Sequence, residues 1–99
     1  MVIYEVSVEV DKEIAPAYEL WLKEHIVELV KMAGFDGAKL FTFDSGNPLV
    51  TNWVTHYQAK SLDLVQNYLE KLAPSFRADG VQRFGKRFRA QRRILTLTE

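Results

Sequence analysis

Cysteine is absent from the chain, which excludes a disulfide framework, a thiolate nucleophile and thiolate metal ligation. The two histidines, His25 and His56, stand too far apart for a zinc-type ligand spacing, and no glycine-rich phosphate loop or nucleophile-base motif is present. No metal and no conventional cofactor is therefore expected. No stretch approaches the roughly eighteen apolar residues of a membrane span. The opening MVIYEVSVEVDKE alternates apolar with acidic residues, whereas a secretory leader runs basic and then continuously apolar. A protein of the reducing cytoplasm, without membrane contact, is the expectation.

What the chain does have is a hydrophobic fraction of 47% and twelve aromatics in 99 residues. That is enough to bury the core of one domain, and residues 1–99 read as that single domain. The net charge of zero hides a polarity along the chain. All six arginines lie between Arg77 and Arg93, where they outweigh the acids, while residues 1–76 carry six lysines against eleven acids. Arginine suits bidentate contacts to carboxylate or phosphate, so the cluster is either an anion site or one half of a set of ion pairs.

Val2, Tyr4, Val6, Val8 and Val10 alternate with Ile3, Glu5, Ser7 and Glu9, the period of a strand with one buried face. Asp11 offers an N-cap to a helix whose stripe is Ile14, Tyr18, Trp21, His25, Leu29 and Met32, closed by Gly34. Residues 38–44 and 52–59 read as a hairpin joined through SGNP. Ser61 caps a second helix with the stripe Leu64, Val65, Tyr68, Leu69 and Leu72, Pro74 starts a further turn or short helix towards Gly80, and residues 86–98 form the last strand.

This order, βαββαβ, specifies an α+β, ferredoxin-like fold: a four-stranded antiparallel sheet, order 4-1-3-2, with helices on one face. The first strand then neighbours the last, which places Glu5 and Glu9 beside Arg87, Arg89 and Arg93. Cross-strand ion pairs of a few tenths to about 1 kcal/mol each are the plainer account of those three arginines. The other sheet face carries Phe41 and Phe43, or Leu40 and Thr42, according to register. An apolar patch of that extent calls for a cover, and a twofold homodimer joining two open faces supplies one.

WLKEHIVELVKMAGFDGAKLF resembles the first half of the dimeric α/β-barrel superfamily, which includes antibiotic-biosynthesis monooxygenases. With IYEV, HYQAKSLDLVQNYLEKLAPSFRADG and RFGKRFRAQRRIL added, nearly the whole chain resembles one uncharacterised family of unknown function within that superfamily. The resemblance implies the fold and a barrel-forming dimer. It also implies a small-molecule pocket between helices and sheet and, by analogy, cofactor-independent monooxygenase or isomerase chemistry.

Within that layer the candidate ligand-binding residues are Tyr4, Trp21, His25, Tyr57 (or His56, by register) and Arg92, and the candidate catalytic residue is His25. His25 lies one turn after Trp21 and suits a general base or a ligand to a polar molecule. The plainer reading is a core histidine hydrogen-bonded to one partner. Arg92 shares parity with Phe88, Ala90 and Ile94, which face the helices. A guanidinium buried there needs a carboxylate or carbonyl, a route to solvent, or an anionic ligand. His56, on the face opposite Tyr57, is expected to make a cross-strand hydrogen bond near Glu5 or Glu9.

Two other families share this architecture. The acylphosphatase phosphate cradle follows the first strand, but here that loop is DKEIAP and holds no arginine. RNA-recognition motifs stack bases on the first and third strands, and IYEVSV with RFGKRFRA matches their signatures loosely. The second signature falls on the wrong strand, and Glu5 and Glu9 would repel phosphates. A small anionic or aromatic ligand is thus the leading reading, a structural or protein-interaction module the alternative, and RNA binding a lesser one.

Overall fold

The computed structural model describes all residues, 1–99. Strand β1 (Val2–Asp11) leads through a single 3-10 turn into α1 (Ala15–Ala33). Then come β2 (Gly37–Phe43), β3 (Val50–Ala59), α2 (Leu62–Lys71), α3 (Ala73–Phe84) and β4 (Phe88–Thr96). The sheet is antiparallel with order β2-β3-β1-β4, the ferredoxin-like arrangement expected from the element order. β1 is central. Tyr4 lies opposite Tyr57 on one side and Ile94 on the other, and Glu5 opposite His56 and Arg93.

The period-two pattern of β1 sorts the sheet into two faces. Val2, Tyr4, Val8 and Val10 are buried beneath the helices together with Trp53, Tyr57 and Ala59 of β3. The opposite face carries Glu5, Ser7 and Glu9, flanked by Arg89, Gln91 and Arg93 of β4 and by Asn52, Val54 and His56 of β3. Register assigns Phe41 and Phe43 to this open face, where both are about half exposed (48% and 50%). Leu40 and Thr42 take the helix side.

Several local expectations need correction. Asp11 does not cap α1; its carboxylate accepts from Arg87 Nε at 2.7 Å and Arg89 Nη1 at 2.9 Å, and Pro16 occupies the first helical turn instead. The buried stripe of α1 is Ala15, Tyr18, Leu22, Leu29 and Ala33, rotated from the expected one, so that Met32 is exposed. Gly34 closes α1 with φ of 72°, the left-handed conformation glycine adopts without a Cβ penalty. Ser61 Oγ accepts from Leu64 N at 3.3 Å, as an N-cap should. Of the turn or short helix expected from Pro74 towards Gly80, the structure shows the helix, α3, which runs on to Phe84 over 12 residues. Pro74 has no N–H for the carbonyl four residues earlier and its ring crowds that carbonyl, so α2 stops at Lys71 and the chain restarts as α3 at Ala73.

The core is not continuous. One cluster gathers Val2, Tyr4, Leu29, Ala33, Phe35, Tyr57, Ala59, Val65, Tyr68 and Ala73; the other gathers Val8, Val10, Ala15, Tyr18, Leu22 and Trp53. Val6, at the centre of the central strand, packs against both yet is only half-buried.

Candidate functional site

Val6 is half-buried because a cavity of about 310 Å³ lies over it, between the two core clusters. Its floor is the helix face of β1, β3 and β4, and its walls are α1, α2 and α3. The exposed lining residues Arg77, Val81, Gly85 and Arg92 place its mouth between α3 and β4.

Aromatic packing shapes the interior. The Tyr4 and Tyr57 rings stack at 5.8 Å across the β1/β3 pair, and Tyr68 of α2 tilts against Tyr4 at 5.6 Å. Tyr18 of α1 packs on Trp53, Trp21, Phe84 and Phe88 with centroids 5.1–6.0 Å apart. Trp21 Nε1 donates to Asp79 Oδ2 at 3.0 Å, which ties α1 to α3. Gly80 permits this closeness, since a Cβ there would stand 3.0 Å from Trp21 Cη2.

Tyr4, Trp21, His25, Tyr57 and Arg92 all line this one cavity. His56 does not: it lies on the open face, Nε2 2.7 Å from Glu5 Oε2, in the cross-strand contact expected of it. Sequence reasoning missed Tyr18, Tyr68, Phe76 and Arg77 as lining groups. Tyr18 and Tyr68 were visible as helix-stripe residues, and Arg77 was within reach had the helical period been carried through Pro74 to Gly80.

His25 differs from the hydrogen-bonded core histidine expected. It makes no hydrogen bond; its ring stacks on Trp21 at 4.5 Å and meets Phe76 edge-on at 5.4 Å. Burial pushes its pKa down to about 4, with Arg92 acting in the same direction and Asp79 against it, so the imidazole is neutral at pH 7. Burial likewise pushes the Tyr18, Tyr57 and Tyr68 phenols up, which keeps them neutral hydroxyls at physiological pH. The Tyr18 and Tyr68 hydroxyls have no protein partner, yet no fully buried side-chain polar atom is left unsatisfied, so both open onto the cavity.

Arg92 corrects a second expectation. Its guanidinium is exposed, not buried, because β4 is an edge strand that the helices cover only at its Phe88 end. It makes no hydrogen bond or ion pair with the protein, whereas the open-face arginines pair as expected. Arg93 binds Glu5, Arg89 binds Glu9 and Asp11, and Arg87 binds Asp11 and Glu13. Arg93 and His56 together hold the Glu5 carboxyl below its usual range against the opposing effect of burial. No group of three or more His, Asp or Glu side chains converges as a metal site.

No curated protein matches the chain. Among solved structures, the de novo designed protein Foldit4 is similar over 98% of both chains, at 13% identity and a TM-score of 0.63, which supports the fold alone. The apo form of CPII from Thiomonas intermedia K12, a nitrogen regulatory PII-like protein, aligns over 96% of this chain and 90% of its own at 15% identity and a TM-score of 0.43. Neither bears on the wider dimeric α/β-barrel resemblance. The family model described as "Domain of unknown function (DUF4286)" matches residues 1–98, and the chain belongs to that family.

Proposed function

We propose that this protein binds a small, largely aromatic molecule in the cavity between its helices and its sheet. The observation that carries the reading is the unfilled volume itself. The fold holds this cleft of about 310 Å³ open among aromatic rings, where a domain without a ligand would close it by side-chain packing. Tyrosine hydroxyls, an imidazole and two guanidinium groups make the space polar enough for water or a ligand to occupy it. A purely structural module would instead fill this space with side chains and pair Arg92 internally.

No reaction is assigned. The general-base role for His25 rests on its position in the helix stripe alone, and no third group orients its ring as an acid–base relay requires. RNA binding loses support because the open-face cations Arg89 and Arg93 are engaged by Glu9 and Glu5. The exposed Phe41 and Phe43 on that face favour a twofold dimer. A monomer at micromolar concentration in light-scattering chromatography would overturn the dimer without touching the cavity.

The ligand reading is tested by native mass spectrometry of the protein purified from its own host, with thermal shift against a set of small aromatic compounds. A reproducible extra mass, or stabilisation by members of the set, is the expected result. A bare mass together with an unchanged melting temperature across the set overturns it.

A further inference from the structure

Four of the six arginines are neutralised by carboxylates: Arg83 by Asp79, and Arg87, Arg89 and Arg93 by the acids of β1 and Glu13. The two that are not, Arg77 and Arg92, both line the cavity. They come from different elements, Arg77 from α3 and Arg92 from β4, and both border its mouth. Arg77 Nη2 makes one long contact, 3.4 Å, to the Tyr4 hydroxyl; Arg92 makes none. Arg77 and Arg92 thus bring two guanidinium groups to one cavity. No Asp or Glu is among the lining residues. In a chain with as many acids as bases, two arginines with no carboxylate beside an acid-free cavity leave a positive site without its counter-charge.

We propose that this site takes a flat aromatic carboxylate of one or two rings, a reading that rests on the ligand cavity above. The ring system enters among Tyr4, Tyr18, Trp21 and Tyr68, and the carboxylate stays at the mouth between Arg77 and Arg92. A planar carboxylate fits the fork of a guanidinium, and the free Tyr18 and Tyr68 hydroxyls supply further donors. Size agrees: the cavity, 310 Å³, is roughly twice the ~150 Å³ that accommodates one benzene ring.

Calorimetric titration with benzoate and 2-naphthoate, each against its neutral amide, tests the assignment, with the Trp21 indole N–H resonance reporting the place of binding. The acids are expected to bind about ten- to hundredfold more tightly than the amides, as loss of charge-assisted hydrogen bonds implies. Arg77→Gln and Arg92→Gln should each erode that preference, and Arg89→Gln, altered on the opposite sheet face, should retain it. Both arginines are exposed, so the variants should fold, which circular dichroism checks; the acid-to-amide ratio of the unmodified protein decides the anion question in any case. Equal binding of acid and amide overturns the anion site and leaves the cavity reading standing. Preference for the acid that survives both substitutions overturns the assignment to Arg77 and Arg92. If neither acids nor amides bind, this inference fails, while the cavity reading stands or falls by the mass-spectrometric and thermal-shift test above.

Discussion

Replacing Glu5 by glutamine should destabilise the protein at pH 7 and should do so less and less as the solution is acidified. Glu5 is 8% exposed, with one carboxylate oxygen facing Arg93 Nε and the other 2.7 Å from His56 Nε2. The amide keeps the shape and one acceptor but turns an NH₂ towards one of those donors and removes the charge. Arg93 is 70% exposed, so water recovers most of what it loses and its share is at most a few tenths of a kcal/mol. The half-buried His56 contact contributes about 1 kcal/mol more. The expected loss is therefore about 1–1.5 kcal/mol, which at about 1–1.5 kcal/mol/M moves the urea midpoint down by roughly 1 M. Fluorescence of Trp21 and Trp53, both in the cluster of Tyr18 and Val8, follows unfolding, and runs at two protein concentrations separate the effect from any change in association.

The pH dependence fixes the cause. Because Arg93 and His56 lower the Glu5 carboxyl in the folded state, its contribution is present above the unfolded value near 4.3 and fades as pH falls through the lower folded value. Wild type and variant should thus differ above the unfolded value and converge as pH falls below it. A variant as stable as wild type at pH 7, or a gap that persists undiminished at low pH, would refute the ion-pair account of this row.

His25 should remain neutral down to pH about 4 in an NMR titration of its ring protons. Because its folded pKa lies below the unfolded 6.5, the unfolded chain binds the extra proton and stability should fall as pH drops from about 6.5 to about 4; His25→Phe should flatten that slope, with Asp79 and Arg92 as the charges facing the ring. Leu29→Ala, at a residue 1% exposed that borders the cavity, should cost about 3 kcal/mol in chemical denaturation, since the space it leaves merges with one that already fails to collapse. Ser61→Ala removes the one side-chain cap of α2 and should cost about 1 kcal/mol, read as a lower melting temperature.

The alternation of β1 was enough to separate the two sheet faces, and strand order followed from the element sequence, so Tyr4 and the Glu5 and Glu9 pairings were legible in the sequence, with Tyr57 or His56 left to register. Three things were not. Asp11 reads as a cap from local chemistry, but two arginines 76 and 78 residues away outbid a backbone amide for its carboxylate. The stripe of α1 was rotated because Trp21 and His25 border a cavity and Leu22 packs on the sheet, a distinction that periodicity cannot make. Arg92 was assigned to the buried face by parity, which was correct for its direction; its exposure depends on how far α3 reaches along β4. That reach is a tertiary feature which the parity of β4 does not encode.

The position of β1 has a consequence for the growing chain. The strand is made before β4, which borders it in the finished sheet. Throughout synthesis of residues 12–87 that border is an unpaired edge, the kind of template on which strands of neighbouring chains aggregate. Glu5, Glu9 and Asp11 stud it with negative charge that has no arginine to meet it until Arg87, Arg89 and Arg93 emerge. The acids thus act first as mutual repellents between nascent chains and then, once the last strand arrives, as the attractive half of its docking surface.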